Sequence, residues 1–394
     1  MNTPYSRRGL LARLALGGTA GLALQWPGAR LALAAAPPAA QAGGERRLVV
    51  VLLRGALDGL AAVPPVGDPR WSSLRPQAAA EQERFGAPLP LEGPFALHPR
   101  LGTLHQWFGE GQLLVVHAVA SPYRERSHFD AQQLLESGGT RAFALQTGWL
   151  GRAMEAAHSP GVALSAALPL ALRGASGATS WAPSSQPDAD PDLLDRIARL
   201  YARDTQLGPA FAMAREQRSG VMAGARGSGD FVALARQAGR FLATPGGPPI
   251  AWIDSGGWDT HSQQAQRLSR QLESLDKGLA ALRESLGPRW ATTTVLVMTE
   301  FGRSAAMNGS AGTDHGTAGV ALLAGGTVAG GRVLADWPGL APQQLFEGRD
   351  LRPTLDLRAL IKPVVQWQLP IASAALDRDV LPGAPRGLDG LWRA

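Results

Sequence analysis

The run RLVVVLL at Arg47–Leu53 is apolar from its second residue onward and shows none of the alternation that a strand with one wet face requires. It is too short for a core helix, so it is expected to be a strand buried on both faces of a parallel sheet. Comparable runs recur at 112–119 (QLLVVHAV), 249–254 (PIAWID), 294–298 (TVLVM) and 319–324 (GVALLA), and a weaker one at 161–172 is broken by Pro169. Helical patterns lie between them. The clearest is Leu268, Leu272, Leu275, Leu279, Leu282 and Leu286, whose spacings of four and three mark one packed helix face. Further helices are expected after Leu101 as far as Phe108 and over 191–222, 231–242 and 354–365, with Pro363 kinking or ending the last. Residues 64–99 and 174–192 are rich in Pro, Gly, Ser or other polar residues and read as loop. Strands alternating with helices define the fold class as α/β, with a doubly wound, mostly parallel sheet flanked by helices. There is no internal repeat, linker or glycine-rich nucleotide motif, so residues 43–394 are read as one domain.

Open parallel sheets place their sites at the carboxyl ends of the strands, and several runs end there in acids and histidines. The 294–298 run stops at Glu300 and Arg303, and a Gly/Ser/Asn-rich turn then delivers Asp314 and His315. The first run ends in RGALDG, which places Asp58 at a strand end, where it serves either as a site acid or as the cap of the next helix. The 249–254 run leads into SGGWDTH. Asp259 and His261 are two residues apart, which suits an extended turn that aims both side chains at one ion. After the 112–119 run comes SPYRERSHFDAQ, with Ser127 just before a helix start. That is a capping position, and it is also where an oxyanion is best held, here with Arg124 and Arg126 alongside. His117, inside an apolar run, reads as a core histidine; His98 and His105 read as packing or surface residues.

Cysteine is absent, which removes disulfides and thiolate ligands, so a metal would have to sit on Asp, Glu, His or Asn. With 45% hydrophobic and 18% charged residues the chain is globular. Residues 1–42 carry paired arginines (Arg7, Arg8), a modest apolar stretch and the small-residue cleavage option Ala40-Gln41-Ala42, the pattern of a twin-arginine export signal. Export to the periplasm by the twin-arginine machinery follows from it. The formal charge of +6 includes four arginines of that segment, so nothing argues for a nucleic-acid partner. No later stretch approaches the ~18 apolar residues of a stable membrane span.

Taken together, the twin-arginine start, RGALDG at Arg54, SHFDAQ at Ser127, GGWDTH at Gly256, TEFGR at Thr299, the NGS and GTDHG segments from Asn308 and the DLRAL run at Asp356 resemble the exported bacterial family known as domain-of-unknown-function family 1501. That family is in turn similar to the alkaline phosphatase and sulfatase superfamily. The resemblance implies an exported metal-dependent hydrolase of phosphate or sulfate esters acting on a small-molecule or polymer substrate. Asp58, Asp259, His261, Glu300 and His315 would hold one or two divalent ions (Zn, Mn, Ca or Mg), with Asp314 set behind them. Ser127 or a metal-bound hydroxide would attack, and Arg126 and Arg303 would hold the oxyanion. Two departures stand out. Phe301 follows Glu300 where phosphatases carry a histidine, and Ser127 lies in an SHF context that makes His128 or Asp130 the alternative functional residue. The competing expectation is a non-catalytic exported binding or assembly protein that retains the fold and a degraded metal site.

Overall fold

In the computed structural model, β1 (Arg47–Leu53) is buried at every position and is hydrogen-bonded in parallel on both sides, to β6 (Thr293–Thr299) and to β5 (Ile250–Ser255). The structure describes residues 46–183, 190–204, 207–208, 211–212 and 230–393, together with the backbone of an antiparallel pair at Ala23–Trp26 and Ala29–Ala32. Apart from that pair, the expected signal segment lies outside the described residues. The remaining strands of the main sheet are β2 (Leu113–Ala120), β3 (Gly161–Leu164), β4 (Ala178–Ser180), β7 (Gly319–Ala324), β8 (Arg332–Leu334) and β9 (Leu355–Asp356). Their order is β8-β2-β7-β6-β1-β5-β3-β4, with β9 also pairing to β2, and only β7 runs antiparallel to its neighbours. A mixed, mostly parallel sheet of nine strands results.

Alternate residues of β1 feed two cores. Val49, Val51 and Leu53 face α1 (Gly102–Gly109), α4 (Phe231–Ala243) and α5 (Gln264–Leu286), through Leu104, Leu234 and the α5 leucine stripe. Leu48, Val50 and Leu52 face α2 (His128–Ser137), α3 (Trp149–Ala156) and α6 (Leu357–Gln368), through Leu135, Leu150 and Leu360. All six α5 leucines are buried, each contributing roughly 1.5–3 kcal/mol of burial free energy. Helices therefore cover both faces, which is the doubly wound arrangement.

Several local readings are corrected. Residues 64–99 contain helices at Trp71–Leu74 and Ala78–Phe85 and a small hairpin at Leu89–Pro90 and Ala96–Leu97. The helix Ala78–Phe85 buries no residue, so it carries no apolar stripe; Ala, Glu and Gln form it by intrinsic propensity. The 161–172 strand ends at Leu164, and a 3-10 turn follows Pro169. Within 174–192, Ala178–Ser180 adds an edge strand, while 184–189 lie outside the described residues. The helix expected over 191–222 is seen at Pro191–Tyr201, and most of its remainder lies outside the described residues. Pro363 sits inside α6 without ending it.

Candidate metal centre

Two glycines bring the strand ends together. Gly55 has φ +117, and a Cβ there would meet the Asp259 backbone nitrogen at 2.5 Å. A Cβ on Gly302 would meet the Ala318 carbonyl oxygen at 1.8 Å. Only glycine permits these approaches. They place the Asp259 turn against the end of β1 and fold residues 302–316 into a loop closed by hydrogen bonds from Gly302 N to Thr317 O and from Gly316 N to Gly302 O, both 2.9 Å. His315 is thereby paired with Arg303 in an isolated bridge.

Three imidazoles and one carboxylate converge at that point. His315 Nε2 lies 2.9 Å from His128 Nε2 and 2.9 Å from His261 Nε2. Asp259 Oδ1 lies 3.1 Å from His261 Nε2 and 3.5 Å from His315 Nε2, and its Oδ2 lies 3.6 Å from His128 Nε2. One ligand atom from each of His128, Asp259 and His315 fits within 4.8 Å of the others. Ligands ~2.0–2.1 Å from a tetrahedral ion lie about 3.3 Å apart, so these spacings match a shared ion.

The far side of two of the rings fixes their tautomers. His315 Nδ1 faces the Arg126 carbonyl oxygen at 2.9 Å, His128 Nδ1 faces Glu300 Oε1 at 2.8 Å, and His261 Nδ1 faces Asp314 Oδ1 at 3.3 Å. All three partners are acceptors, so Nδ1 of His315 and of His128 is assigned the proton and their Nε2 atoms present lone pairs, whereas His261 faces a carboxylate oxygen from both ring nitrogens, Asp314 Oδ1 at 3.3 Å and Asp259 Oδ1 at 3.1 Å. The Nε2 atoms of His128 and His315 thus face each other at 2.9 Å with no proton between them. A bound cation resolves that repulsion, and the pattern of imidazoles tied back to carboxylates and a carbonyl is the one that metal-ligating histidines adopt. Burial, then the neighbouring His128, holds the His315 pKa below its ordinary value, which disfavours a proton in the cation's place. Burial opposes ionisation of Asp259, but the Arg303 hydrogen bond and charge outweigh it and lower its pKa.

The residues expected from sequence divide into two groups. Asp259, His261 and His315 meet at the centre, and His128, the alternative within SHFDAQ, joins them. Glu300 stands behind: it is 0% exposed, and besides His128 its carboxylate accepts the Gly55 amide at 2.8 Å, Gln132 Nε2 at 2.9 Å and the Thr299 hydroxyl. Burial raises its pKa, yet the bonds from His128 and Gln132 outweigh that and leave the pKa lowered. Asp58 is not brought to the cluster. It caps the helix Gly59–Ala62 through Leu60 N and Ala61 N and forms a buried ion pair with Arg75 at 2.5 Å. Arg303 is buried, with Nη1 on Asp259 at 2.6 Å and its Nε and Nη2 on Thr313, so its donors are engaged within the protein. The Arg126 side chain is engaged by Asp350 and Glu347, while its carbonyl holds His315. Ser127 is half-buried at the N-cap of α2, makes no side-chain capping bond and donates its amide to Tyr123 Oη at 3.3 Å. Phe301 stacks on His128 at 4.8 Å and leans on His315 at 5.3 Å, which braces both rings. Asp259 and His261 keep side chains 42% and 46% exposed, so the centre is open to solvent on one side.

Fold and site define an α/β protein with a histidine and carboxylate centre at its strand ends. The chain belongs to the family described as protein of unknown function (DUF1501), whose model matches residues 114–381. No curated protein matches it. Similar solved structures include the zinc-bound C-terminal periplasmic domain of EcEptC from Escherichia coli, at 9% identity and a TM-score of 0.39, covering 74% of this chain and 76% of that one. They also include alkaline phosphatase from the Antarctic bacterium TAB5 (12%, 0.36, covering 73% and 94%) and phosphonate monoester hydrolase of Agrobacterium radiobacter (9%, 0.36, covering 73% and 70%). Likeness at this level carries no functional weight. Among the described residues no helix is long and apolar enough to cross a membrane.

Proposed function

We propose that the chain is an exported, metal-dependent hydrolase of phosphate or sulfate esters, built as one alkaline-phosphatase-like domain over residues 43–394 behind a twin-arginine signal at 1–42. The observation that carries the metal reading is the meeting of three imidazole Nε2 atoms beside Asp259, with those of His128 and His315 2.9 Å apart while their Nδ1 atoms face acceptors. His128, Asp259, His261 and His315 would hold a divalent ion, and three imidazoles with one carboxylate suit zinc first and manganese next. Such an ion supplies Lewis-acid polarisation of an ester oxygen and offsets charge that develops on the transferred group.

The chain's own groups supply the rest. Ser127, between the residue whose carbonyl holds His315 and the ligand His128, is the proposed attacking hydroxyl. Arg303 keeps Asp259 ionised and aimed. Arg349, with a side chain 41% exposed and Asp350 Oδ1 at 3.2 Å, is the cation proposed to meet substrate oxygens. The ester class itself rests on the family resemblance. The test is hydrolysis of a panel of aryl phosphate and aryl sulfate esters by zinc-loaded protein and by Ser127→Ala. Turnover lost in Ser127→Ala supports the covalent route; full turnover in that variant removes Ser127 as nucleophile. Zinc binding without turnover of any ester favours the second reading, a non-catalytic binding or assembly protein, to which the occupied Arg126 and Arg303 side chains lend support.

A further inference from the structure

A continuous chain of buried polar groups runs from the centre past Gln264, the first residue of α5, to the Asp58–Arg75 pair. Arg303 Nε donates to Thr313 Oγ1 at 3.1 Å, and Thr313 Oγ1 donates to Gln264 Oε1 at 2.6 Å. Gln264 Oε1 also accepts Thr260 Oγ1 at 2.9 Å, and Gln264 Nε2 donates to Asp58 Oδ2 at 2.6 Å. Asp58 is closed off by Arg75, which also donates to the carbonyls of Ala305 and Ser304 and to Met307 Sδ. Thr260, Gln264, Arg303 and Thr313 are all buried. The direction of every bond is fixed. Arginine can only donate, so Thr313 must accept from Arg303 and pass its own proton to Gln264, and the Gln264 amide cannot flip while Asp58 requires a donor.

We infer that Thr313 and Gln264 are a positioning pair for the metal ligand Asp259, acting through Arg303. Resting on the metal-centre reading above, this assigns a role to groups that touch neither ion nor substrate. Arg303 Nη1 holds Asp259 Oδ1 at 2.6 Å, and that oxygen is the one within 3.1 Å of His261 Nε2. A guanidinium free to swing would let the half-exposed carboxylate turn away. Thr313 stops that rotation at Nε, and Gln264 sets the direction in which the Thr313 hydroxyl points. Outer groups of this kind typically alter metal affinity ~10- to 100-fold.

The test compares zinc affinity, by competition with a chromophoric chelator, and the visible spectrum of the cobalt-substituted protein across wild type, Thr313→Val, Thr313→Ser and Gln264→Met. Valine keeps the shape of threonine and loses the hydroxyl; serine keeps the hydroxyl. We expect Thr313→Val and Gln264→Met to bind zinc ~10- to 100-fold more weakly with an altered cobalt spectrum, and Thr313→Ser to stay within about threefold of wild type. Should Thr313→Val fail to fold, Gln264→Met carries the comparison alone. A folded variant lacking the bond yet showing wild-type zinc affinity and spectrum overturns the positioning role, as does Thr313→Ser proving as defective as valine. Wild-type protein that binds no zinc overturns the metal reading together with this one, whereas intact wild-type binding with indifferent variants overturns this one alone.

Discussion

Glu300 accepts the Nδ1 proton of His128 at 2.8 Å, and through that single bond a fully buried acid at the end of β6 sets the direction in which His128 Nε2 meets His315. The acid orients His128. Glu300→Gln keeps an acceptor but loses the charge, so zinc affinity is expected to fall by ~10- to 100-fold with the protein still folded. Chelator competition measures it, and an unchanged affinity would separate Glu300 from the centre.

The Asp58–Arg75 pair predicts a different outcome at another strand end. Both side chains are buried, so Asp58→Ala leaves an uncompensated guanidinium and is expected to cost about 3–5 kcal/mol in urea unfolding. The double variant Asp58→Ala, Arg75→Met should recover much of that loss. At saturating zinc the stoichiometry of the folded Asp58→Ala fraction should match wild type, because Asp58 supplies no group to the cluster and reaches it only through Gln264. Loss of zinc without loss of stability would make it a ligand after all.

Two core histidines predict the acid limb of stability. Burial pushes the pKa of both His117 and His98 down to about 4, and in each ring Nδ1 already accepts a backbone amide, from Ala118 and Arg100 respectively. Protonation would set a proton against that amide. Folded pKa values below the ordinary 6.5 mean that the unfolded chain binds protons more readily. Stability from these residues is therefore complete above pH 6.5 and lost as pH falls towards about 4, at up to roughly 3 kcal/mol per histidine. Histidine ring NMR provides the check: the C2 proton of His117 should show no titration between about pH 8 and 5.

Much of the architecture was legible in the sequence because uniform apolar runs report burial on both faces, as in Arg47–Leu53, and the α5 leucines report one packed face. The helix Ala78–Phe85 was not, since it buries nothing and leaves no period to read. At the centre, Asp259, His261 and His315 were legible as residues just past strand ends. The division of labour among the others was not. Whether Asp58 meets an ion or Arg75, and whether Glu300 meets an ion or His128, depends on partners 17 and 172 residues away in the chain, which spacing does not encode. Phe301 illustrates the same limit. Its identity showed in the sequence as a departure from the resembled pattern, but that it braces the two rings beside it did not.

The central claim is a metal ion held by His128, Asp259, His261 and His315, and metal content tests it most directly. Protein loaded with zinc and freed of excess should retain about one equivalent, and the Asp259→Ala, His315→Ala variant should retain less than roughly a tenth. Less than that tenth in wild type, or an equal content in the double variant, would contradict the account.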